Sequence, residues 1–308
     1  MMHKLEIPDR HIVEEFPSEI NEMDQSQFIR FVDLVLKYTS GQISLAQFKV
    51  LLIKKLLNIK YDLVYSRLSA QDKEQIGGNI VILSELCESF FEDIIQDGKT
   101  VKSFKLNFIK NFIPVICNRY YGPKDALQDI TFCEYRLAHS HFVSYIASHD
   151  EQDLNNLIAV LYRPRKRFLW LRKHLRSYNG QPRISITAKS NPVHLEQRAR
   201  RIGKLPLAVR YGIFLYFSGS EHFLVNGKPT VDGKEIDFSI IYEKPEDAGD
   251  SPDIGLIGIL YSLAETKVFG SIAETDDQGL YDIMIRLYQV VRQSKAMEAK
   301  FKSNGNGK

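Results

Sequence analysis

The sequence contains little cysteine, and none of it is paired. Its 308 residues include three cysteines, Cys87, Cys117 and Cys133, which are isolated from one another in the chain. An odd number without paired spacing excludes a disulfide framework and a zinc knuckle. We therefore expect each cysteine to be a small, buried apolar residue.

Long apolar runs are also missing. No stretch approaches the roughly 20 apolar residues that a membrane-spanning helix needs. The first residues, MMHKLEIPDRHIVEEF, include acids and lack the apolar core of a signal peptide. These absences predict a cytosolic protein, or one assembled from cytosolic material, with no membrane partner.

The common catalytic motifs are absent as well. There is no dinucleotide fingerprint, phosphate-binding loop, HExxH motif or nucleophile elbow. The nearest grouping is FSGSEHF at 217–223, whose adjacent residues face different directions and so form no triad. His139 and His141 are two residues apart, which on a helix points them to different faces and disfavours a metal site. We predict a non-enzymatic protein without cofactor or metal, although a site assembled from distant residues would leave no motif.

Helix start signals are frequent. Asp24, Ser44, Thr131 and Ser148 are each followed three residues later by Gln or Glu, the pattern of a capping box. Apolar residues then recur at helical spacing, as in Phe28, Phe31, Val32 and Val35 after the first box. The chain is therefore predicted to be mainly α with minor β (α+β), with helical hairpins and a short hairpin or small sheet.

The same reasoning predicts the remaining elements. We expect helices near 60–75, 79–96, 193–201, 254–264 and 280–297, and an almost wholly apolar, buried helix between 209 and 217. Alternation from 104 to 108 predicts a half-buried strand that ends between Asn111 and Pro114, and a short strand is expected at 184–187. DFSIIYE at 237–243 is expected to be a strand of a hairpin. The predicted organisation is an extended lead-in (1–22), an N-terminal helical domain (23–122), a C-terminal α-rich domain (123–300) and a flexible tail (301–308).

Charge is distributed very unevenly. Residues 163–210, the basic segment, contain fourteen Lys or Arg and one acid, Glu196, for a formal +13. The whole chain carries +3, which leaves about −10 for the rest. Such a field attracts polyanions or acidic protein surfaces. Two other interpretations stay open: the arginine stems cover a core, or the acidic remainder of the chain docks onto the segment.

Aromatic and basic residues alternate at the start of the basic segment, in RPRKRFLWLRKHLRSY. That mixture suits phosphate contacts and base stacking, although no zinc finger, RNP1 or homeodomain pattern accompanies it. Nucleic acid is therefore an alternative partner to protein. The candidate partner-binding or polyanion-binding residues are Arg163, Arg165, Lys166, Arg167, Trp170, Arg172, Lys173 and Arg176.

Three separated pieces resemble one known group of proteins. They are residues 129–164, 205–224 and 268–300, and the likeness is strongest in LIAVLYRP (157–164) and VFG (268–270). In that order they resemble a poorly characterised family encoded among the tail genes of bacteriophages that infect Bacteroidetes. The resemblance implies a tape-measure chaperone or a tail or virion structural protein, in the host cytoplasm or in a phage-type particle. Its partners would be other tail or virion proteins, or further copies of itself.

Overall fold

The structure is a computed structural model that describes residues 2–7, 12–59, 63–96, 98–175, 182–184, 186, 192–231, 233–242 and 255–305. It is mainly α-helical with small β-sheets, which confirms the predicted fold class. The chain forms two compact units, one of Met1–Phe108 with Pro206–Leu215 and one of Ile109–Leu205 with Tyr216–Lys308.

The first unit consists of helices and two-stranded hairpins. Its elements are β1 (His3–Ile7), β2 (Ile12–Phe16), α1 (Gln25–Thr39), α2 (Leu45–Leu56), α3 (Leu63–Ser66), α4 (Ala70–Ser84), β3 (Phe91–Gln96) and β4 (Lys99–Phe104). The predicted capping boxes of α1 and α2 are confirmed, because Asp24 and Ser44 each accept the backbone N–H three residues on. The expected lead-in instead contains the β1–β2 hairpin, in which His3 pairs with Phe16.

Aromatic rings fill the core of the first unit. The predicted apolar face of α1 is buried, and the Phe48 ring of α2 lies 5.1 Å from Phe104 and 5.7 Å from Phe91. Phe91 and Phe104 are register partners in the β3–β4 hairpin. The prediction of one helix over 79–96 was therefore wrong beyond Ser84. The strand that was predicted near 104–108 is observed earlier in the chain, as β4, which ends at Phe104. Packing of these rings overrides the local helical spacing.

The second unit is larger and contains the basic segment. Its elements are β5 (Val115–Ile116), β6 (Tyr120–Tyr121), α5 (Phe132–Ser148), α6 (Glu151–Leu161), β7 (Arg163–Pro164), α7 (Leu169–Arg172), α8 (Pro192–Ile202), the end of α9 (Leu207–Asn226), β8 (Thr230–Val231), β9 (Lys234–Glu235), α10 (Gly255–Glu265), α11 (Ile272–Asp276) and α12 (Leu280–Gly305). The start of α9, up to Leu215, belongs to the first unit. The predicted buried helix is confirmed in α9, where no residue from 209 to 217 is exposed.

Helix α6 forms the centre of the second unit. Residues Leu157 to Leu161 are all buried, and α6 packs against both α5 and α8. The Thr131 capping box at the start of α5 is confirmed, but the one predicted at Ser148 is wrong. Ser148 is the last residue of α5, His149 adopts the left-handed conformation, and Asp150 caps α6 instead.

A three-stranded sheet joins residues on both sides of the predicted domain boundary at 122. Strand β6 pairs with β5, and Tyr121 of β6 is also the register partner of Arg163 in β7. Strands β5, β6 and β7 all belong to the second unit, whose borders with the first lie at 108/109, 205/206 and 215/216. Cys117 lies in the β5–β6 turn and is exposed, so the expectation of burial holds only for Cys87 and Cys133. Burial raises the pKa of those two thiols to about 12.

Other elements of the second unit differ from the predictions. Phe238–Ile241 is a 3-10 helix and not a strand, because the hairpin turns earlier and pairs β8 with β9. Helix α10 buries only one face, with Tyr261 exposed. Helix α12 continues to Gly305, through part of the predicted tail, and residues 306–308 are outside the described residues. Of the strand predicted at 184–187, only 184 and 186 are described, and neither is in a strand.

Candidate functional site

The basic segment begins with an arginine that is buried. Helix α6 ends at Leu161, because Pro164 disfavours the helical conformation at the residue before it, Arg163. Arg163 is 1% exposed and forms an ion pair with the buried Glu134 of the α5 capping box. Its Nη1 also donates to the Ile184 carbonyl at 2.6 Å. The predicted role of Arg163 in contacting a partner is thus corrected, because this side chain is buried and its contacts are inside the protein.

Burial also acts on the charge of Arg163. It lowers the pKa of the guanidinium to about 10, although the nearby Glu134 carboxylate opposes that effect. The group therefore stays positively charged at neutral pH. Its Nε and Nη2 atoms have no hydrogen-bond partner among the described residues, which makes Glu134 its main compensation.

Two other arginines of the basic segment bind the carboxyl end of α6. Arg183, which is also buried, donates from Nη1 to Leu161 O at 2.9 Å and pairs through Nη2 with Asp129 Oδ1 at 3.1 Å. Arg198 donates from Nη1 to Ala159 O at 2.6 Å. The last carbonyls of a helix lack partners within it and carry partial negative charge, so cations there are stabilising. These arginines therefore act as caps of α6.

Residues 165–175, here the basic–apolar turn, are anchored at their first residues. Arg165 forms an isolated bridge with Arg183, and the Lys166 N–H donates to Pro182 O at 2.9 Å. Phe168 then takes the left-handed conformation and begins the single helical turn of α7. The Arg172 Nε donates back to Arg167 O at 3.0 Å and closes the turn. The basic–apolar turn therefore contains one helical turn, α7, and follows directly after strand β7.

The basic–apolar turn exposes large apolar side chains. The exposed fractions are 67% for Phe168, 69% for Trp170, 49% for Leu171 and 57% for Leu175. Trp170 is the single tryptophan of the chain. These four side chains are therefore not part of a core that the arginine stems cover.

Cations surround these apolar side chains. Arg167, Arg172 and Lys173 are exposed and form no ion pair with the described residues, and residues 163–175 contain no acid. Lys166 is half-buried, and its pKa is lowered first by burial and then by the positive charges of Arg172 and Arg163. The turn is therefore a region of positive potential. Arg176, also predicted as a site residue, is outside the described residues.

A cavity beside the turn was not predicted from the sequence. It has a volume of about 430 Å³ and is lined by residues that include Asn111, Tyr121, Lys124, Gln128, Arg165 and Arg183. Arg165 lies over the Tyr121 ring, 4.0 Å from its centroid. The sequence does contain one residue that this region requires, Gly122. A Cβ atom added to Gly122 would lie 2.5 Å from the Tyr162 ring. Only glycine fits there, but its partner is known only from the fold.

The residues considered for catalysis and metal binding are separated in the structure. Ser220 donates to Tyr216 O within α9, and Glu221 pairs with His139 rather than with its neighbour His222. His141 is paired with Asp153. Among the described residues no group of three potential ligands could hold a metal ion, and no helix is long and apolar enough to cross a membrane.

Comparison of the chain with protein families, with curated proteins and with solved structures found no match. The resemblance to tail-gene proteins of bacteriophages therefore stays a prediction, and the function is argued from the geometry.

The first prediction concerns the buried ion pair. Glu134→Gln keeps the shape of the side chain but leaves the Arg163 guanidinium buried without its counter-ion. We expect the free energy of unfolding, measured by chemical denaturation, to fall by about 3–5 kcal/mol. The matched control is Glu196→Gln, an exposed carboxylate, which should change it by less than about 0.5 kcal/mol. Equal effects of the two variants would show that the pair does not hold this region together.

The second prediction concerns pH. His139 Nδ1 lies 3.0 Å from Glu221 Oε1, and this hydrogen bond raises the pKa of His139 above its usual 6.5, against the effect of burial. Because the pKa of His139 is higher in the folded state than in the unfolded state, the hydrogen bond stabilises the fold fully at pH values below the unfolded-state pKa. This contribution to stability is lost as the pH rises through the folded-state pKa. Urea unfolding between about pH 6 and pH 8 should therefore show a decline that Glu221→Gln removes. A difference between wild type and variant that is constant over this range contradicts the prediction.

Proposed function

We propose that the protein is a non-enzymatic binding protein whose basic–apolar turn docks onto an acidic, partly apolar surface of another protein subunit. One observation carries the proposal: Phe168, Trp170, Leu171 and Leu175 are exposed together, among cations, on a turn whose base is anchored. Tryptophan and arginine are the residues that most often dominate the energy of protein interfaces.

Burial of the exposed apolar side chains supplies the affinity. Fully burying a large apolar side chain is worth about 1.5–3 kcal/mol, and four such groups lie within eight residues of one another. The anchored turn reduces the ordering cost of binding, because its backbone is already closed by the Arg172–Arg167 hydrogen bond. A partner therefore meets a preformed apolar surface.

The cations determine which surface fits. Arg167, Arg172 and Lys173 favour an acidic partner, because opposite potentials speed the encounter and exclude cationic surfaces. The resemblance to tail-gene proteins would make that partner a neighbouring tail or virion protein, in the host cytoplasm or in the assembled particle. A second copy is the other protein partner to test, since the chain outside the basic segment carries about −10.

The third prediction tests the turn. The tagged chain is co-expressed with its neighbouring tail genes and purified with nuclease treatment and a high-salt wash. One or two tail proteins should be retained by the wild type, and Trp170→Ala with Leu171→Ser should weaken the purified complex about 30-fold, as loss of an interface hot spot does. Calorimetry measures the affinity, and light scattering detects self-association.

The matched control for this experiment is Val143→Ser with Ile146→Ser. These two side chains are half-exposed on α5 in the same unit, so the control removes similar apolar surface away from the turn. A control that weakens the complex as much as the turn variant does would count against the proposal. Retention of no tail protein and no second copy would overturn it.

A second candidate function is nucleic-acid binding. Two rings, Phe168 and Trp170, are about two-thirds exposed beside cations that form no ion pair with the described residues, an arrangement that suits base stacking and phosphate contacts. The leucines favour protein instead, because Leu171 and Leu175 have no ring to stack on a base.

The fourth prediction separates these two functions. If nucleic acid is the ligand, affinity for single-stranded DNA should fall steeply with salt, with a log–log slope of about −0.7 per phosphate contact. Substitution of Arg165, Arg167 and Arg172 by Ala should then reduce both affinity and slope. A triple variant that binds single-stranded DNA with the affinity and salt slope of the wild type would exclude nucleic-acid binding by the turn.

A further inference from the structure

The cavity beside the basic–apolar turn has walls suited to a peptide. Pro114, Pro123 and Pro182 contribute to its lining, together with the Tyr121 ring. Its volume of about 430 Å³ is in the lower part of the range of ligand sites, which is enough for one or two side chains. A bound side chain would contact these apolar walls, and the charged residues of the cavity lie between them.

The two acids of the cavity are already engaged by the protein. Asp125 Oδ1 accepts the Asn111 N–H at 2.8 Å. Asp129 Oδ1 accepts the Lys124 N–H at 2.7 Å and pairs with the Arg183 guanidinium at 3.1 Å. These contacts compensate part of their negative charge, and they orient the carboxylates toward protein donors.

The cations of the cavity are less fully used. Neither Lys124 Nζ nor the Arg165 guanidinium forms an ion pair with any residue in the part of the chain that the structure describes. The Arg165 guanidinium carbon lies 4.0 Å from the centroid of the Tyr121 ring, a cation–π contact that restrains this side chain. The Nε of Arg183 is buried and lacks a hydrogen-bond partner among the described residues. Because Arg183 is paired with Asp129, Lys124 and Arg165 face only Asp125, and the cavity keeps a net positive charge.

We propose that this cavity binds the carboxylate side chain of an acidic segment on the protein partner. The planar fork of Arg165 matches a carboxylate in two parallel hydrogen bonds, and Lys124 supplies a second positive charge. The proline and tyrosine walls accommodate the methylene groups of a glutamate. This inference rests on the proposed docking function, and it adds a polar contact that fixes the register of the partner.

Position in the chain connects the cavity to the turn. Arg165 lines the cavity and is also the first residue of the basic–apolar turn. A single acidic and apolar segment can therefore place its carboxylate in the cavity and its apolar side chains against Trp170. The cavity contributes specificity, whereas the turn contributes most of the affinity.

The fifth prediction uses a capped peptide of sequence Glu-Glu-Leu-Glu and its Gln-Gln-Leu-Gln counterpart, titrated into the full-length chain and followed by NMR. The glutamate peptide should shift the signals of Lys124 and Arg165, and the glutamine peptide should not. Lys124→Ala with Arg165→Ala should weaken binding about tenfold or more, the effect of losing charge-assisted hydrogen bonds. Arg165→Lys should lose part of the affinity, because it keeps the charge but not the fork.

The matched control is Lys204→Ala, an exposed cation of the same unit that is not part of the cavity, with an expected change below about twofold. Glutamate peptide that fails to bind, or that binds the double variant as well as the wild type, overturns the assignment. Inorganic phosphate that occupies the cavity while the peptide does not would also overturn it. If the peptide binds but Trp170→Ala with Leu171→Ser leaves the partner complex intact, the docking proposal fails and the cavity assignment stands.

Discussion

The buried ion pair between Arg163 and Glu134 fixes the geometry on which the candidate site depends. Glu134 also caps α5, so a single carboxylate joins the start of that helix to the end of α6. An unpaired charge in this position would cost several kcal/mol, and the pair therefore tolerates little displacement. Because Arg163 is also the register partner of Tyr121, the strand before the basic–apolar turn is held by both its backbone and its side chain.

The basic segment divides into two sets of cations with different roles. Arg183 and Arg198 donate hydrogen bonds to the last carbonyls of α6, and Arg163 pairs with Glu134. The charges of these three arginines are therefore compensated inside the unit. The exposed set, represented by Arg167 and Arg172, forms no ion pair with the described residues. The formal +13 therefore overstates the field that a partner meets, but the cations that do face solvent lie together beside exposed apolar side chains.

Local sequence signals predicted the fold wherever local energies decide the outcome. Three capping boxes and the apolar face of α1 were predicted because their hydrogen bonds and spacing lie within a few residues. The box at Ser148 failed because His149 takes a left-handed conformation that sequence spacing does not reveal. The burial of Arg163 could not be predicted, since its partner Glu134 is on helix α5, far from strand β7 in the chain. The exposed Trp170 was predicted as a site residue, whereas the cavity required the fold.

The arrangement of exposed side chains favours protein over nucleic acid as the partner. Nucleic acid is bound through phosphates and flat rings, and for that task Arg167, Arg172 and Trp170 would suffice. Leu171 and Leu175 add aliphatic surface that such a ligand does not bury, yet they are exposed on the same turn. A groove on another protein buries both kinds of group, and acids at its rim would meet the cations. The same logic extends to the cavity, where an arginine held on a tyrosine ring stands among prolines.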